Sequence, residues 1–360
     1  MALPFRIGVM QLTMEPLPEI IQHAQTMDRA GFDTMWLAEA YPWWRKHSME
    51  ARSATALAPI LARETERLAV AWGIISPYTR HPLQVAMEAR VAQEAAGPGR
   101  FMVGLGASKI FMKAAGIEDE RPARPRTNLL ESLEIIRAVL AGEAVDLVGK
   151  EWTARAPALK ADAEAPDWPV PLYMAGTGPK MQQSAGEVAA GLLTPSITTP
   201  AFVRYAAENV RIGAERAGRD PGDVDIGCTI VASIDEDPAR GREGAREIAG
   251  MYLANKVQNI QGSADVLLDK AELTQEEIRP VADAMEEGGR LAAKEAVTDE
   301  VLDKTKAIAG TPAECIERIR EYREAGCSHI MLELWGEDRN RQLRMFGEQV
   351  LPHVGQGEPV

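Results

Sequence analysis

Only three cysteines occur in 360 residues, Cys228, Cys315 and Cys327. An odd number, at spacings that fit neither a zinc motif nor a disulfide framework, reads as reduced structural thiols. There is no apolar run long enough to cross a bilayer. The first six residues lead straight into a strand with no charged-then-apolar export signal, so a cytoplasmic location is expected. Cations are in short supply: 40 Lys and Arg against 53 Asp and Glu give a formal net charge of −13. Nucleic acid is therefore a poor partner, although a few local cations and backbone donors suffice to hold a small anion. Also missing are a Cys-x-x-Cys pair, a Walker lysine loop and a Gly-x-Ser-x-Gly elbow. No metal is expected, and nucleotide hydrolysis and serine esterase chemistry lose support.

What is present is a globular balance of 46% hydrophobic and 26% charged residues, laid out as alternating strands and helices. Phe5 to Met10, Asp33 to Ala40, Leu68 to Ile75, Arg100 to Leu105, Val170 to Ala175, Gly191 to Pro195, Asp225 to Ile234 and His329 to Trp335 read as strands. Segments with helical spacing lie between them, among them Leu17 to Ala30, Leu83 to Ala96, Pro125 to Ala141 and Pro200 to Ala217. The strands are too apolar to leave one face in water, which indicates a parallel sheet covered by helices. Eight such strands predict an α/β fold of the (β/α)8 TIM-barrel type, one domain over residues 1–354. Two insertions are expected, at about 142–167 and 257–306. The second holds too many helical residues for one crossover before the last strand. The tail 355–360 reads as flexible.

Barrels of this kind place their chemistry at the C-terminal ends of the strands, and four such ends are notable. Strand two ends in Leu37-Ala38-Glu39-Ala40, followed by Tyr41-Pro42-Trp43-Trp44-Arg45-Lys46-His47. A carboxylate at the end of a buried strand needs a reason, and aromatics beside titratable groups make a site or a loop pinned by tryptophan packing. Strand three ends in Gly73-Ile74-Ile75-Ser76-Pro77-Tyr78-Thr79-Arg80-His81-Pro82, a turn and a helix start. Here His81 reads first as a capping residue, and Arg80 equally well as an ion-pair partner. Strand four ends in Val103-Gly104-Leu105-Gly106-Ala107-Ser108, small residues that leave room for a flat ring or for close packing. Strand five runs into Ala175-Gly176-Thr177-Gly178-Pro179-Lys180. That turn suits a phosphate, through close backbone approach and a helix start, or is a tight turn holding nothing.

With these stretches and Ile308-Ala309-Gly310-Thr311-Pro312, the chain resembles the luciferase-like flavin and deazaflavin oxidoreductases over nearly its whole length. It is most similar to the coenzyme F420-dependent branch that includes methylenetetrahydromethanopterin reductase. The resemblance implies a non-proline cis peptide at Gly73-Ile74, with Ile74 behind the deazaflavin ring and Ile75 and Ser76 beside it. It places the tail phosphate against Gly176, Thr177 and Gly178, with Ala175, Gly106 and Ala107 lining tail or ring and Thr194 as a further contact. Trp44 matches a tryptophan set beside the reacting ring. Related sugar-phosphate dehydrogenases carry Asp-His where this chain has Glu39-Ala40, so their histidine base is missing. The activity implied is hydride transfer between F420 and an imine, an activated C=C bond or a pterin-like methylene group, by a homodimer. Glu39, with His47 or Glu15, would supply a proton, and Trp43, Trp44 and Trp335 would wall the substrate. An FMN-dependent monooxygenase using reduced flavin and oxygen is the alternative, and a non-catalytic flavin-binding protein the third reading.

Overall fold

The computed structural model describes residues 3–39, 43–44, 49–107, 124–158, 166, 168–257, 264–335 and 338–354; the tail 355–360 lies outside them. Eight parallel strands close into a barrel: β1 (Arg6–Leu12), β2 (Thr34–Ala38), β5 (Ala69–Ile75), β6 (Phe101–Leu105), β9 (Leu172–Ala175), β10 (Gly191–Thr194), β11 (Asp225–Ile234) and β13 (His329–Leu334). Closure is made by β10 pairing with β11 and by β13 pairing with both β11 and β1. These are the eight apolar runs of the sequence, each buried on both faces because helices cover the outside and the barrel fills its own interior.

Shorter strands decorate the barrel. The segment β12 (Ile308–Gly310) extends the sheet beside the end of β11. Antiparallel ribbons join β3 (Trp43–Trp44) to β4 (Met49–Glu50) and β7 (Val145–Val148) to β8 (Thr153–Ala156). The second ribbon occupies part of the 142–167 insertion, where no strand was expected. The helical excess between β11 and β12 comprises Pro238–Val257, Ala264–Lys270, Gln275–Ala296 and Asp299–Thr305. It packs about its own apolar cluster, which includes Ile248, Leu253, Ile278 and Val281. Among the described residues no helix is long and apolar enough to cross a membrane. All three cysteines are buried and free, and burial pushes the Cys315 thiol up to about 12.

Trp36, Met102, Tyr173, Leu193 and Met331 fill the barrel centre. A Cβ at Gly73 would lie 2.9 Å from the Trp36 ring, and one at Gly104 would lie 3.2 Å from that ring and 2.5 Å from the Trp72 carbonyl. Gly104 is therefore small for close packing inside the barrel, with Leu193 Cδ1 also 2.6 Å from that position. Below Trp36, the buried carboxylate of Asp225 accepts from Tyr173 Oη at 2.8 Å, from His329 Nδ1 at 3.1 Å and from Ser328, and it pairs with Arg6. Burial would raise Asp225, but the bond and charge of His329 and the charge of Arg6 outweigh it and hold the carboxyl well below the usual range.

Removing one member of a buried ion pair leaves the other charge uncompensated. The substitution Asp225→Ala is expected to lower the unfolding free energy by about 3 kcal/mol, read from urea denaturation with an unchanged slope. A loss below about 0.5 kcal/mol, the size of an ordinary surface change, would mean that the network contributes nothing.

Candidate active site at the barrel mouth

The Gly73-Ile74 peptide is cis, and the pairing of β5 with β6 slips between Gly73 and Ile75. This is the position and isomer that the resemblance implies. The side chain of Ile74 reaches across to the next strand end: a Cβ built on Gly106 would stand 2.3 Å from Ile74 Cδ1 and 3.4 Å from Ala175 Cβ. Gly106 thus marks the meeting point of β5, β6 and β9, and it lacks a side chain because Ile74 occupies that volume. Its N–H donates to the Ile75 carbonyl at 3.1 Å. Ile75 itself departs from expectation, since its side chain is fully buried in the layer between barrel and helices. Only its backbone reaches the rim. Ser76 opens a turn in which its carbonyl accepts from Thr79 N at 3.1 Å and Thr79 Oγ1 at 2.8 Å.

Beyond Ala175 the chain turns through Gly176, Thr177 and Gly178 into the helix Pro179–Val188. The Gly176 N–H donates to the Leu193 carbonyl at 3.2 Å, which ties this turn to β10. Gly176 is small for packing, because a Cβ there would sit 2.2 Å from Met181 Cγ, whereas a Cβ at Gly178 would meet nothing within 4 Å. Gly178 is the N-cap and offers no side-chain acceptor. Some other helix starts are capped, as Thr199 caps Pro200–Arg216 and a Thr311–Glu314 capping box closes Pro312–Glu324, while Leu17–Ala30 and Pro125–Leu140 lack a side-chain cap as well. First-turn amides have no acceptor within their own helix. At Gly178 they stand where an anion's oxygens would satisfy them. Thr194 is buried, and its Oγ1 accepts from Thr198 Oγ1 at 2.9 Å, so its side chain serves the loop.

Glu39 is bound on both oxygens. Arg80 donates from Nη1 to Oε1 and from Nη2 to Oε2 at 3.2 Å, and the Ala54 N–H donates to Oε2 at 2.9 Å at the start of Ala54–Arg63. These contacts tie the end of β2 to the loop after β5 and to the helix start at Ala54. Arg80 also reaches Glu88 at 3.4 Å. His81 Nδ1 accepts from Leu83 N at 3.2 Å, the capping role read first, with its ring edge-on to Trp152 at 4.9 Å. The Trp44 backbone belongs to β3, but its side chain and the whole of His47 lie outside the described residues. Glu15 accepts from Gln11 Nε2 at 2.8 Å and pairs with Arg339. Trp335 packs on Leu12, Met14 and Ala38, with the guanidinium carbons of Arg290 and Arg339 each 5.8 Å from its ring centroid.

One carboxyl was missed. Glu333 lies within the apolar strand Ile330-Met331-Leu332-Glu333-Leu334 and is completely buried. It alternates with His329 and Met331, which face the barrel interior, so it too points inward, one layer nearer the mouth. Oε2 accepts from Ser196 Oγ at 3.0 Å, and Oε1 accepts from Tyr252 of the helix Pro238–Val257. Burial raises its pKa to about 7. The signal in the sequence was the same lone carboxylate in a buried strand that singled out Glu39.

Comparison with known proteins bears on this geometry. A model of the luciferase-like monooxygenase family matches residues 1–329. The 5,10-methylenetetrahydromethanopterin reductase of Methanolobus tindarius is 30% identical over 353 residues, spanning 96% of this chain and 99% of that protein. An F420-dependent glucose-6-phosphate dehydrogenase of Rhodococcus erythropolis is 25% identical over 344 residues, 93% of each chain. The solved structure of the coenzyme F420 dependent tetrahydromethanopterin reductase from Methanopyrus kandleri superposes with a TM-score of 0.85 at 25% identity, covering 98% of this chain and 99% of that one.

The buried carboxyl of Glu333 has a measurable consequence. Its pKa rises from 4.5 to about 7 on folding, so the fold favours the protonated form. That contribution is complete below pH 4.5 and is lost as pH rises through about 7, a change of about 3 kcal/mol. Glu333→Gln cannot ionise. Between pH 4.5 and 8, urea denaturation is expected to show the variant gaining about 3 kcal/mol relative to the parent. A constant difference across that range would show that Glu333 ionises at its ordinary value.

Proposed function

Because the chain belongs to the luciferase-like monooxygenase family, we propose that it is a coenzyme F420-dependent oxidoreductase that moves a hydride between the deazaflavin and an organic acceptor. The acceptor classes are an imine, an activated C=C bond or a pterin-like methylene group. The observation that carries this reading is a continuous arc over four adjacent strand ends, β5, β6, β9 and β10. One end of the arc is an apolar platform, Ile74 on Gly106; the other is a helix start at Gly178 with no side-chain cap. A planar ring with an anionic tail has this pair of requirements, and relatives matching end to end are named as F420-dependent enzymes.

The residues present fit the coenzyme. Ile74 with Gly106, Ala107 and the backbone of Gly73, Ile75 and Ser76 would hold the ring; Ala175, Gly176, Thr177, Gly178 and the Thr194 loop would hold the tail. When bound, the coenzyme supplies the hydride chemistry, so the protein's work is binding, orientation and exclusion of water. Arg80 and Glu39 fix the loop after β5, which carries the platform. Trp335 walls the substrate side, and Trp44 and His47 are assigned there on sequence grounds. A homodimer belongs to the same proposal, with sedimentation as its check.

Titration followed by deazaflavin fluorescence tests the reading with three probes: F420, its chromophore without the phosphate tail, and FMN. F420 is expected to bind tightest. Gly178→Asp puts a carboxylate at the helix start and is expected to weaken F420 by about tenfold, some 1.4 kcal/mol, while the tailless chromophore is unaffected. Preference for FMN, or no binding of F420, would overturn the assignment. Oxidation of reduced F420 by a panel of imines, enones and methylene-bearing pterins then selects the acceptor class.

A further inference from the structure

Three strands round the barrel from Ile74, by way of β2 and β1, Glu333 faces inward beneath the mouth. The coenzyme cradle does not use it. Its oxygens are held by hydroxyls from two different elements, Ser196 in the loop after β10 and Tyr252 on the added helix Pro238–Val257. The strand neighbour on β11 is Val231, which does not titrate. Arg339 is the nearby cation whose field reaches the carboxyl, but it is paired with Glu15. With no cation bonded to it among the described residues, Glu333 has no structural need of its charge, and at about 7 its pKa leaves both forms populated near neutrality. Among the described residues these two hydroxyls are the groups hydrogen-bonded to the carboxyl. Ser196 is buried, whereas Tyr252 is half-buried, and both Tyr252 and Trp335 pack against the apolar cluster of the added helices.

We propose that Tyr252 and Glu333 form the proton relay of the hydride-transfer reaction, Tyr252 as the catalytic acid and Glu333 as the group that positions and recharges it. The relay rests on the F420 reading above. In the reducing direction the coenzyme, when bound, would supply a hydride to the acceptor carbon, and the pair of the bond that breaks, the π pair of a C=N or C=C acceptor or the C–N σ pair of a methylene acceptor, would move onto the neighbouring atom X. Tyr252 gives its hydroxyl proton to X and takes the carboxyl proton of Glu333. The resulting carboxylate is held by the Tyr252 and Ser196 hydroxyls until solvent returns a proton. In the oxidising direction each transfer reverses, and Glu333 ends protonated. The added helix thereby acquires a chemical task besides shaping the mouth.

Two measurements test the relay in Tyr252→Phe, Glu333→Gln and Glu333→Asp, with F420 affinity measured first. All three are expected to bind F420 within about threefold of the parent, because neither Tyr252 nor Glu333 is among the residues assigned to hold the coenzyme, and Glu333 meets the Thr194 loop through the Ser196 hydroxyl. Infrared titration of the protein without acceptor should show a protonated-carboxyl band with a midpoint near 7 in the parent, absent in Glu333→Gln. Addition of F420 should move that midpoint upward by excluding water from the mouth. With an acceptor from the panel, Tyr252→Phe should lower kcat about a hundredfold with KM little changed. The kcat of the parent should fall as pH rises through about 7, and Glu333→Gln should lose that limb while Glu333→Asp retains it. A band indifferent to F420, or a Tyr252→Phe kcat within twofold of the parent, overturns the relay and leaves the F420 assignment standing. Failure of the parent to bind F420 removes both. Should no acceptor on the panel turn over, the infrared result decides alone.

Discussion

Position 106 has no side chain because Ile74 needs the space. A methyl group there would come within 2.3 Å of Ile74 Cδ1 while touching Ala175 at 3.4 Å, so three neighbouring strand ends share a volume that admits one apolar side chain. The candidate site follows from that exclusion. Ile74 is held over β6 rather than over its own strand, and β5 loses register there. Ile75 turns outward into the helix-covered layer, and the chain leaves the barrel through the Ser76 turn toward Arg80. The salt bridge from Arg80 to Glu39 then pins the far end of that loop to β2 and to the helix at Ala54. A platform residue at a strand end is thus fixed from both sides, by packing before it and by charge after it.

Two buried carboxyls show how the same barrel holds opposite electrostatic states. Asp225 and Glu333 lie on paired strands, and both are fully enclosed. Asp225, at the N-terminal end, is surrounded by Arg6, His329 and hydroxyl donors, and its charge is stabilised despite burial. Glu333, nearer the mouth, has among the described residues the hydroxyls of Ser196 and Tyr252 bonded to it, and burial prevails. Conserving charge at the closed end seals and rigidifies the fold. Leaving a carboxyl near neutrality at the open end makes a group that exchanges a proton. Desolvation is common to both; the presence or absence of a bonded cation decides the difference.

Helix starts divide in the same way. Thr199, Thr274, Thr298 and Thr311 close their helices with a side-chain oxygen. Gly178 supplies no such oxygen, and neither do Pro16, Ser53 and Arg124 at their helix starts; Gly178 differs in following directly on the end of β9 through a glycine turn. The Gly-Thr-Gly pattern alone left a tight turn and an anion cradle equally open. The structure adds that a Cβ at Gly178 would meet nothing within 4 Å among the described residues, whereas one at Gly176 would strike Met181.

Much of the fold was legible before any coordinates, because strands buried on both faces must be continuous apolar runs and helices covering them must repeat at helical spacing. Eight runs, their order and the C-terminal mouth followed, as did the Gly73-Ile74 isomer by likeness to a family. The capping role of His81 was readable from its place before Pro82. Less legible was anything fixed by residues far apart in the chain. Arg80 could be read as an ion-pair partner, but that it holds both oxygens of Glu39, 41 positions away, could not. Room for a ring and close packing were equally open at Gly104 until the Trp72 carbonyl, Leu193 and Trp36 were seen around it. Glu333 was read as one more residue of a strand until Ser196 and Tyr252, from separate elements, met on it. Local periodicity and turn chemistry belong to the sequence by itself, since they depend on neighbours along the chain. The charge state of a carboxyl, the occupant of a glycine's empty volume and the openness of a helix start depend on neighbours through space, and these only the closed barrel decided.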